Sequence, residues 1–187
     1  MLKREIRKEF NKKRLALPPE LSAQLSLGIK KKFESQLLPD TRLVHIYLPM
    51  AARGEIDTWP IIHGLWSRQI RVAVPVISAN LGSFGHLQLY SDSKIILNEW
   101  QIPEPVAGDV VQPEDIDAVV VPLLACDQQG HRVGYGKGMY DAFLASLPPH
   151  VPRFGLSFFH PLARIDDIAP WDVPLNYCIC PDRVFIF

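Results

Sequence analysis

The stretch Asp127-Gln-Gln-Gly130-His-Arg132-Val133-Gly134-Tyr135-Gly136-Lys137-Gly138-Met139-Tyr140-Asp141 decides how this chain is read. The apolar run Ala118-Val-Val-Val-Pro-Leu-Leu124 precedes it, and Ala142-Phe-Leu-Ala-Ser-Leu147, with helix-like apolar spacing, follows it. The order is strand, glycine-rich loop, helix. Glycines at 134, 136 and 138 remove side chains where a backbone must approach a ligand closely. A helix beginning near Gly138 would aim open N–H groups and the positive end of its dipole at that ligand. Lys137 adds positive charge on a flexible stem, and Arg132 adds it as a rigid fork. Phosphate is the ligand that fits these features together. The spacing matches neither a Walker A loop nor a dinucleotide fingerprint. Glycine turns are common, but three alternating glycines with Lys and Arg between a strand and a helix are not.

Outward from this stretch, strands and helices alternate. Residues 2–15 place Leu2, Ile6, Phe10 and Leu15 at helical spacing, and Pro18-Pro19 stops that helix. A second helix is expected over 20–37, with Leu21, Leu25, Ile29 and Phe33 as its buried stripe. Leu43–Leu48 reads as a strand. Thr58 reads as the N-cap of a helix over 59–68 that carries Pro60 in its first turn. Arg71–Ile77 is the next strand, and this β–α–β order implies a right-handed crossover and parallel neighbours. Residues 86–90 alternate as a half-exposed strand, and 100–105 are too proline-rich for regular structure. The continuous apolar run at 118–124 reads as a central strand buried on both faces. Further strands fall at 154–158 and 184–187. The expected fold is a three-layer α/β sandwich on a mainly parallel sheet, forming a single domain over residues 1–187.

Composition agrees. The chain has 187 residues, 48% hydrophobic and 21% charged, with zero formal net charge, which argues against a general nucleic-acid binder. Its basic residues are uneven: Lys3, Arg4, Arg7, Lys8, Lys12, Lys13 and Arg14 crowd the first helix. The three cysteines, Cys126, Cys178 and Cys180, read as small apolar residues of a reducing compartment. Neither a membrane span nor a signal peptide is evident, so the expected location is the cytoplasm.

In parallel α/β folds ligands bind beyond the carboxyl ends of the strands. Here those ends carry the loops 49–57 and 125–138 and the segment after Phe158. That topology gathers Glu55, Asp57, Arg132 and Lys137 around one cleft. Glu55 and Asp57 could bind an amino group or a metal-bound water, although acids before a helix also simply complement its dipole. Lys3 and Arg7, four apart, share a helix face and could span a phosphate chain, or they could belong to a solvated basic face. Asp141 beside a phosphate site could hold Mg²⁺, which commonly takes one or two carboxylates plus phosphate oxygens. Asp172, in Trp171-Asp172-Val-Pro, is a second candidate ligand or a turn aspartate.

The segment Gly130-His-Arg132-Val-Gly134-Tyr-Gly136-Lys-Gly138-Met-Tyr140-Asp141 resembles the signature of the 5-formyltetrahydrofolate cyclo-ligase family, roughly Gly-x-Arg-Leu-Gly-x-Gly-x-Gly-Tyr/Phe-Tyr-Asp. Lys3-x-x-x-Arg7, Gly54-Glu55-Ile-Asp57-Thr58, Ile102-Pro-Glu104-Pro105 and Trp171-Asp172-Val-Pro-Leu175 also match in the family's order. The resemblance implies ATP-dependent closure of 5-formyltetrahydrofolate to 5,10-methenyltetrahydrofolate, releasing ADP and phosphate, with Mg²⁺ required. By that resemblance Lys3, Arg7, Arg132, Val133, Gly134, Tyr135, Gly136, Lys137, Gly138, Met139 and Tyr140 would bind ATP. Met50, Glu55 and Asp57 would contact the folate, with Tyr135, Gly136, Lys137, Gly138 and Met139 bordering both ligands. Lys137 and Arg132 would act on the migrating phosphate, and Asp141 and Asp172 would ligate the metal. The implied partner is a reduced folate, with neither nucleic acid nor membrane, and a monomer is expected. The alternative is a non-catalytic nucleotide-binding regulator of the same fold. Two positions depart from the pattern: Met139 stands where an aromatic is usual, and Ala51-Ala52-Arg53 lengthens the substrate loop.

Overall fold

Alternate residues of β1, β2 and β6 enter two different cores, and that alternation builds three layers. A computed structural model describes residues 1–77 and 84–187. Its elements are α1 (Lys3–Leu15), α2 (Pro19–Glu34), β1 (Leu43–His45), α3 (Trp59–Ser67), β2 (Arg71–Ile77), β3 (Phe84–Leu89), β4 (Ile95–Leu97), β5 (Pro103–Pro105), β6 (Ala118–Val121), β7 (Ala125–Cys126), β8 (Arg132–Val133), α4 (Met139–Ser146), β9 (Arg153–Leu156), β10 (Tyr177–Ile179) and β11 (Val184–Ile186). The main sheet runs β11-β10-β9-β6-β1-β2-β3. Its five inner strands are parallel, and both edge strands are antiparallel. Val44, Val72, Val74 and Val120 pack with Ile29 and Phe33 of α2 and Ile61, Ile62 and Leu65 of α3. Leu43, Ala73, Val119 and Val121 face the other way, against Phe143, Leu144 and Leu147 of α4. The strand buried on both faces is therefore β6, as its unbroken apolar run requires, and it lies centrally.

Several expectations shift. Strand β6 ends at Val121, because Pro122 offers no N–H to a ladder. On α2 the buried residues are Ser26, Ile29 and Phe33, while Leu21 is exposed, so the buried stripe lies to one side of the one expected. Thr58 is the N-cap residue of α3 as expected, but its side chain makes no cap hydrogen bond: its hydroxyl donates to the Tyr47 carbonyl, and Asp57 Oδ1 accepts the Trp59 N–H at 3.0 Å. The proline-rich 103–105 segment does form a strand, β5, paired with β4 in a two-stranded ribbon. Prolines are tolerated there because such a ribbon has open edges that need no N–H. Strand β10 and the β7–β8 ribbon carry too few residues for a periodicity to register.

The third cluster is the one that positions the site. Ile6 and Phe10 of α1 pack with Leu124, Ala125, Val133 and Ile165, which lays α1 across the β7–β8 ribbon beyond the carboxyl end of the sheet. Lys3 N–H donates to Asp167 Oδ1 at 2.7 Å and Asp166 N–H to the Met1 carbonyl at 3.1 Å, tying the helix start to the chain after β9.

Candidate active site

The glycine segment begins in a turn organised by Asp127. This buried carboxylate accepts the N–H groups of Gln129 and His131 through Oδ1, and that of Ile165 through Oδ2, each at 3.0 Å. The turn carries the chain back as β8, and Gly134 to Gly138 then run beneath α1. Arg7 Nε donates to the Gly134 carbonyl at 2.9 Å. Gly136 has φ +87°, which favours glycine, and a Cβ there would lie 3.2 Å from Arg7 Cζ and crowd the Arg7 guanidinium. Gly138, at φ +70°, is the N-cap of α4. Among the described residues no side chain caps that helix, which leaves its first-turn N–H groups open for an anion. Cβ atoms at 134 and 138 would meet no atom of the described residues within 4 Å.

Two carboxylate–cation pairs stand at the far side of this segment. Arg132, buried, donates through Nη2 to Asp141 Oδ1 at 2.7 Å and through Nη1 to the Val173 carbonyl. Val173 N–H returns to the same Asp141 oxygen at 3.2 Å. Burial lowers the Arg132 pKa, and Asp141 opposes that shift. Lys3 Nζ pairs with Asp172 Oδ2, which also takes the Ala169 N–H at 2.8 Å. Burial works to raise the Asp172 pKa, but Lys3, the Ala169 N–H and Arg132 outweigh it and hold the carboxyl below its ordinary value. Two aspartates 31 positions apart are thus brought to one place, through Arg132 and the Asp172–Val173 link. Among the described residues no hydrogen bond occupies Asp141 Oδ2 or Asp172 Oδ1. Nor do three His, Cys, Asp or Glu side chains gather as a complete metal cage. Two carboxylate oxygens beside an anion cradle suit a hard cation that completes its shell with phosphate and water, as Mg²⁺ does.

On the near side, Glu55 is buried. Its Oε2 accepts the Met50 N–H at 2.7 Å, and its Oε1 accepts the Tyr135 hydroxyl. Arg14 Nη2 donates to the same hydroxyl at 2.8 Å. Burial pushes Glu55 above its ordinary pKa, opposed by the Met50 N–H, the Tyr135 hydroxyl, Arg14 and Arg53. Burial likewise pushes up the phenols of Tyr135 and Tyr140. An open groove of about 390 Å³ runs past Tyr135, lined by Arg7, Lys8, Asn11 and Arg53.

The positions expected from sequence thus lie around one segment, on different terms. Lys137 is exposed, and Met139 and Tyr140 are half-buried. Asp57 is exposed and serves as the cap of α3 through one oxygen. Arg132 lies behind Asp141 rather than at the mouth. Arg14 was missed, although its spacing from Lys3 and Arg7 was a usable signal. At about 100° per residue the three fall within roughly 40° of one another on α1.

The model of the 5-formyltetrahydrofolate cyclo-ligase family matches residues 1–180. The chain belongs to the 5-formyltetrahydrofolate cyclo-ligase family. A curated relative, the 5-formyltetrahydrofolate cyclo-ligase of Escherichia coli K12, is 28% identical over 182 residues, covering 94% of this chain and 98% of that one. The enzyme of the same name from Mycoplasma pneumoniae is 27% identical over 181 residues, covering 96% and 98%. Among solved structures, the Aquifex aeolicus 5,10-methenyltetrahydrofolate synthetase superposes with a TM-score of 0.83 at 29% identity, over 100% of this chain and 93% of that one. The Mycoplasma pneumoniae 5,10-methenyltetrahydrofolate synthetase shares the fold at a TM-score of 0.76 and 23% identity. Cyclo-ligase membership therefore extends over almost the whole chain, and the glycine segment, α1 and the Asp172 region all fall inside the matched range.

Proposed function

We propose that this cyclo-ligase family member closes 5-formyltetrahydrofolate to 5,10-methenyltetrahydrofolate, with ATP hydrolysed to ADP and phosphate. The observation that carries the reading is the glycine segment itself: it lies between a carboxylate–cation cluster on one side and the buried Glu55 on the other. Such a wall can serve a polyphosphate and a heterocycle at once. A formyl amide is a poor electrophile. Transfer of the γ-phosphoryl group to its oxygen turns that oxygen into a leaving group. The N10 nitrogen then attacks the formyl carbon, the C–N bond forms, phosphate leaves, and N10 gives up its proton.

In this reading the open first-turn N–H groups of α4 and the space beside Gly134 and Gly138 receive the phosphates, with Val133 to Tyr140 forming the cradle. Lys3 and Arg7 flank the polyphosphate from α1. Lys137, exposed at the rim, follows the migrating phosphoryl group, and Arg132 supports it from behind Asp141. Stabilising charge in this way, by positioned cations, is the main lever in phosphoryl transfer. Asp141 and Asp172 would hold Mg²⁺, which when bound neutralises phosphate charge. Met50, Glu55 and Asp57 take the folate, with Tyr135, Gly136, Lys137, Gly138 and Met139 between the two ligands. Glu55 is the strongest polar contact on offer, because a buried carboxylate with spare lone pairs recognises N–H groups at low dielectric. The direct test is the appearance of methenyl absorbance from 5-formyltetrahydrofolate. It should require ATP, and a protein that binds ATP without producing that absorbance is the non-catalytic regulator instead.

A further inference from the structure

We propose that Arg14 is a positioning residue of the folate side: through the Tyr135 hydroxyl it fixes both the orientation and the ionised state of Glu55. The proposal rests on the reading of Glu55 as a folate contact given above. Three observations support it. Arg14 is 6% exposed, although it belongs to a helix whose other basic side chains mostly face solvent. Its guanidinium is fixed from two sides, with Nη2 donating to Tyr135 Oη at 2.8 Å and Nη1 to the Leu123 carbonyl at 3.4 Å. Tyr135 then donates onward to Glu55 Oε1, while Met50 N–H fixes Oε2 at 2.7 Å. The chain of donors runs one way, from cation through phenol to carboxylate. Donors reach both carboxyl oxygens, Tyr135 at Oε1 and Met50 N–H at Oε2, and an ionised Glu55 accepts from both most strongly.

Of the relay's three residues, only Glu55 stands at a position that the family pattern specifies. Tyr135 fills a position that the family pattern leaves open, and Arg14 lies outside every matched segment.

The groups facing Glu55 are Arg14 from α1, Arg53 from the turn Ala51–Arg53, Tyr47 after β1, Tyr135 from the glycine segment and Tyr140 from α4. The phenols are neutral: the Tyr135 hydrogen bond favours the Glu55 carboxylate, whose charge, after burial, helps push up the phenols of Tyr47, Tyr135 and Tyr140. Of the two cations, Arg53 is exposed, and solvent screens it. Arg14 is the buried one, so it carries more of the charge balance. Its guanidinium also lies 5.8 Å from the Tyr135 ring centroid, with Arg53 at 4.9 Å, which further restrains the ring between the two ligands.

The test is the pH dependence of the Kd for 5-formyltetrahydrofolate, by calorimetry from pH 5 to 8 without nucleotide, on the full chain. Arg14→Met should move the acid limb of binding upward by about one pH unit, which is about a tenfold weaker Kd on the acid side of the limb. Binding at pH 8 should change far less. Arg14→Lys keeps the charge and should restore most of the limb. Tyr135→Phe keeps the ring, cuts the link and should move the limb in the same direction as Arg14→Met. Glu55→Gln should remove the limb altogether. If Arg14→Met lowers Tm but leaves the limb in place, Arg14 is only a packing residue and the proposal is overturned while the role of Glu55 stands. If Arg14→Met does not fold, an unmoved limb in Tyr135→Phe overturns the proposal equally well. If Glu55→Gln binds with the parent's affinity and the parent's limb, the folate role of Glu55 has failed, and the relay fails with it.

Discussion

Removing Asp141 should strand a charge. Arg132 is buried, its side chain 6% exposed, and among the described residues Asp141 is the only carboxylate paired with it. Its other partner is the Val173 carbonyl, a dipole rather than a charge. Breaking a buried pair by deleting one member costs about 3–5 kcal/mol, because the survivor stays desolvated. The Asp141 side chain is 23% exposed, so water reaches part of the gap and screening discounts the cost below that range, to about 2–3 kcal/mol. For a domain of this size each kcal/mol moves Tm by about 2–4 °C, so Asp141→Ala should lower Tm by about 4–12 °C. The double variant Arg132→Met/Asp141→Ala removes the stranded charge while keeping the side-chain bulk. It should regain at least about half of that loss, short of full recovery because the Val173 carbonyl has lost its donor. Thermal unfolding of the parent, both single variants and the double variant closes the cycle without any activity measurement. A double variant as unstable as the sum of the singles would falsify the view that this pair holds the site together.

Three other outcomes are expected. Lys137→Ala should lower turnover by about 10²–10³-fold, the typical loss of one charge-stabilising group, with Tm nearly unchanged because Lys137 is exposed; near-normal turnover would remove Lys137 from the mechanism. Gly136→Ala imposes about 1–2 kcal/mol of left-handed backbone strain and pushes Arg7 off the Gly134 carbonyl, so both Tm and ATP affinity should fall; parent-like ATP binding would show that Arg7 does not need that anchor. The buried rings of His45 and His86, 3.1 Å apart, both have pKa values below the ordinary 6.5, His45 through burial and repulsion from His86, and His86 through burial. The unfolded chain therefore binds more protons below pH 6.5, so stability is full above that pH and declines toward the folded-state values. Urea titrations from pH 7 to 5 should show the His45→Val/His86→Leu variant gaining on the parent as pH falls, and parallel curves would refute this.

The His45–His86 pair also shows how local the sequence signal is. Nothing in the spacing of residues 45 and 86 connects them; they meet because β1 and β3 lie on either side of β2, and Phe143 of α4 packs against both rings. Arg132 is a similar case. Read in line, it is a cation inside a phosphate loop. In the fold the β7–β8 ribbon turns it inward, where it binds Asp141 and the chain at Val173. Asp57 went the other way: its place before α3 already suggested dipole compensation, and it does cap that helix.

Periodicity and punctuation in the sequence determined the layers. The two-sided apolar run at 118–121, the β–α–β order from 43 to 77 and the alternating glycines at 134–138 are local patterns with local causes, in hydrogen-bond geometry and in the conformational freedom of glycine. They were enough for an α/β sandwich on a mainly parallel sheet, with a glycine segment beyond its carboxyl end. Only the tertiary structure decided which charges answer which. Lys3 with Asp172, Arg132 with Asp141, and Arg14 with Glu55 through Tyr135 are all contacts between segments distant in sequence or facing inward from it. A charge has no preferred partner along the chain; burial selects one, because each of these groups leaves water only where a specific counter-charge or hydrogen bond receives it.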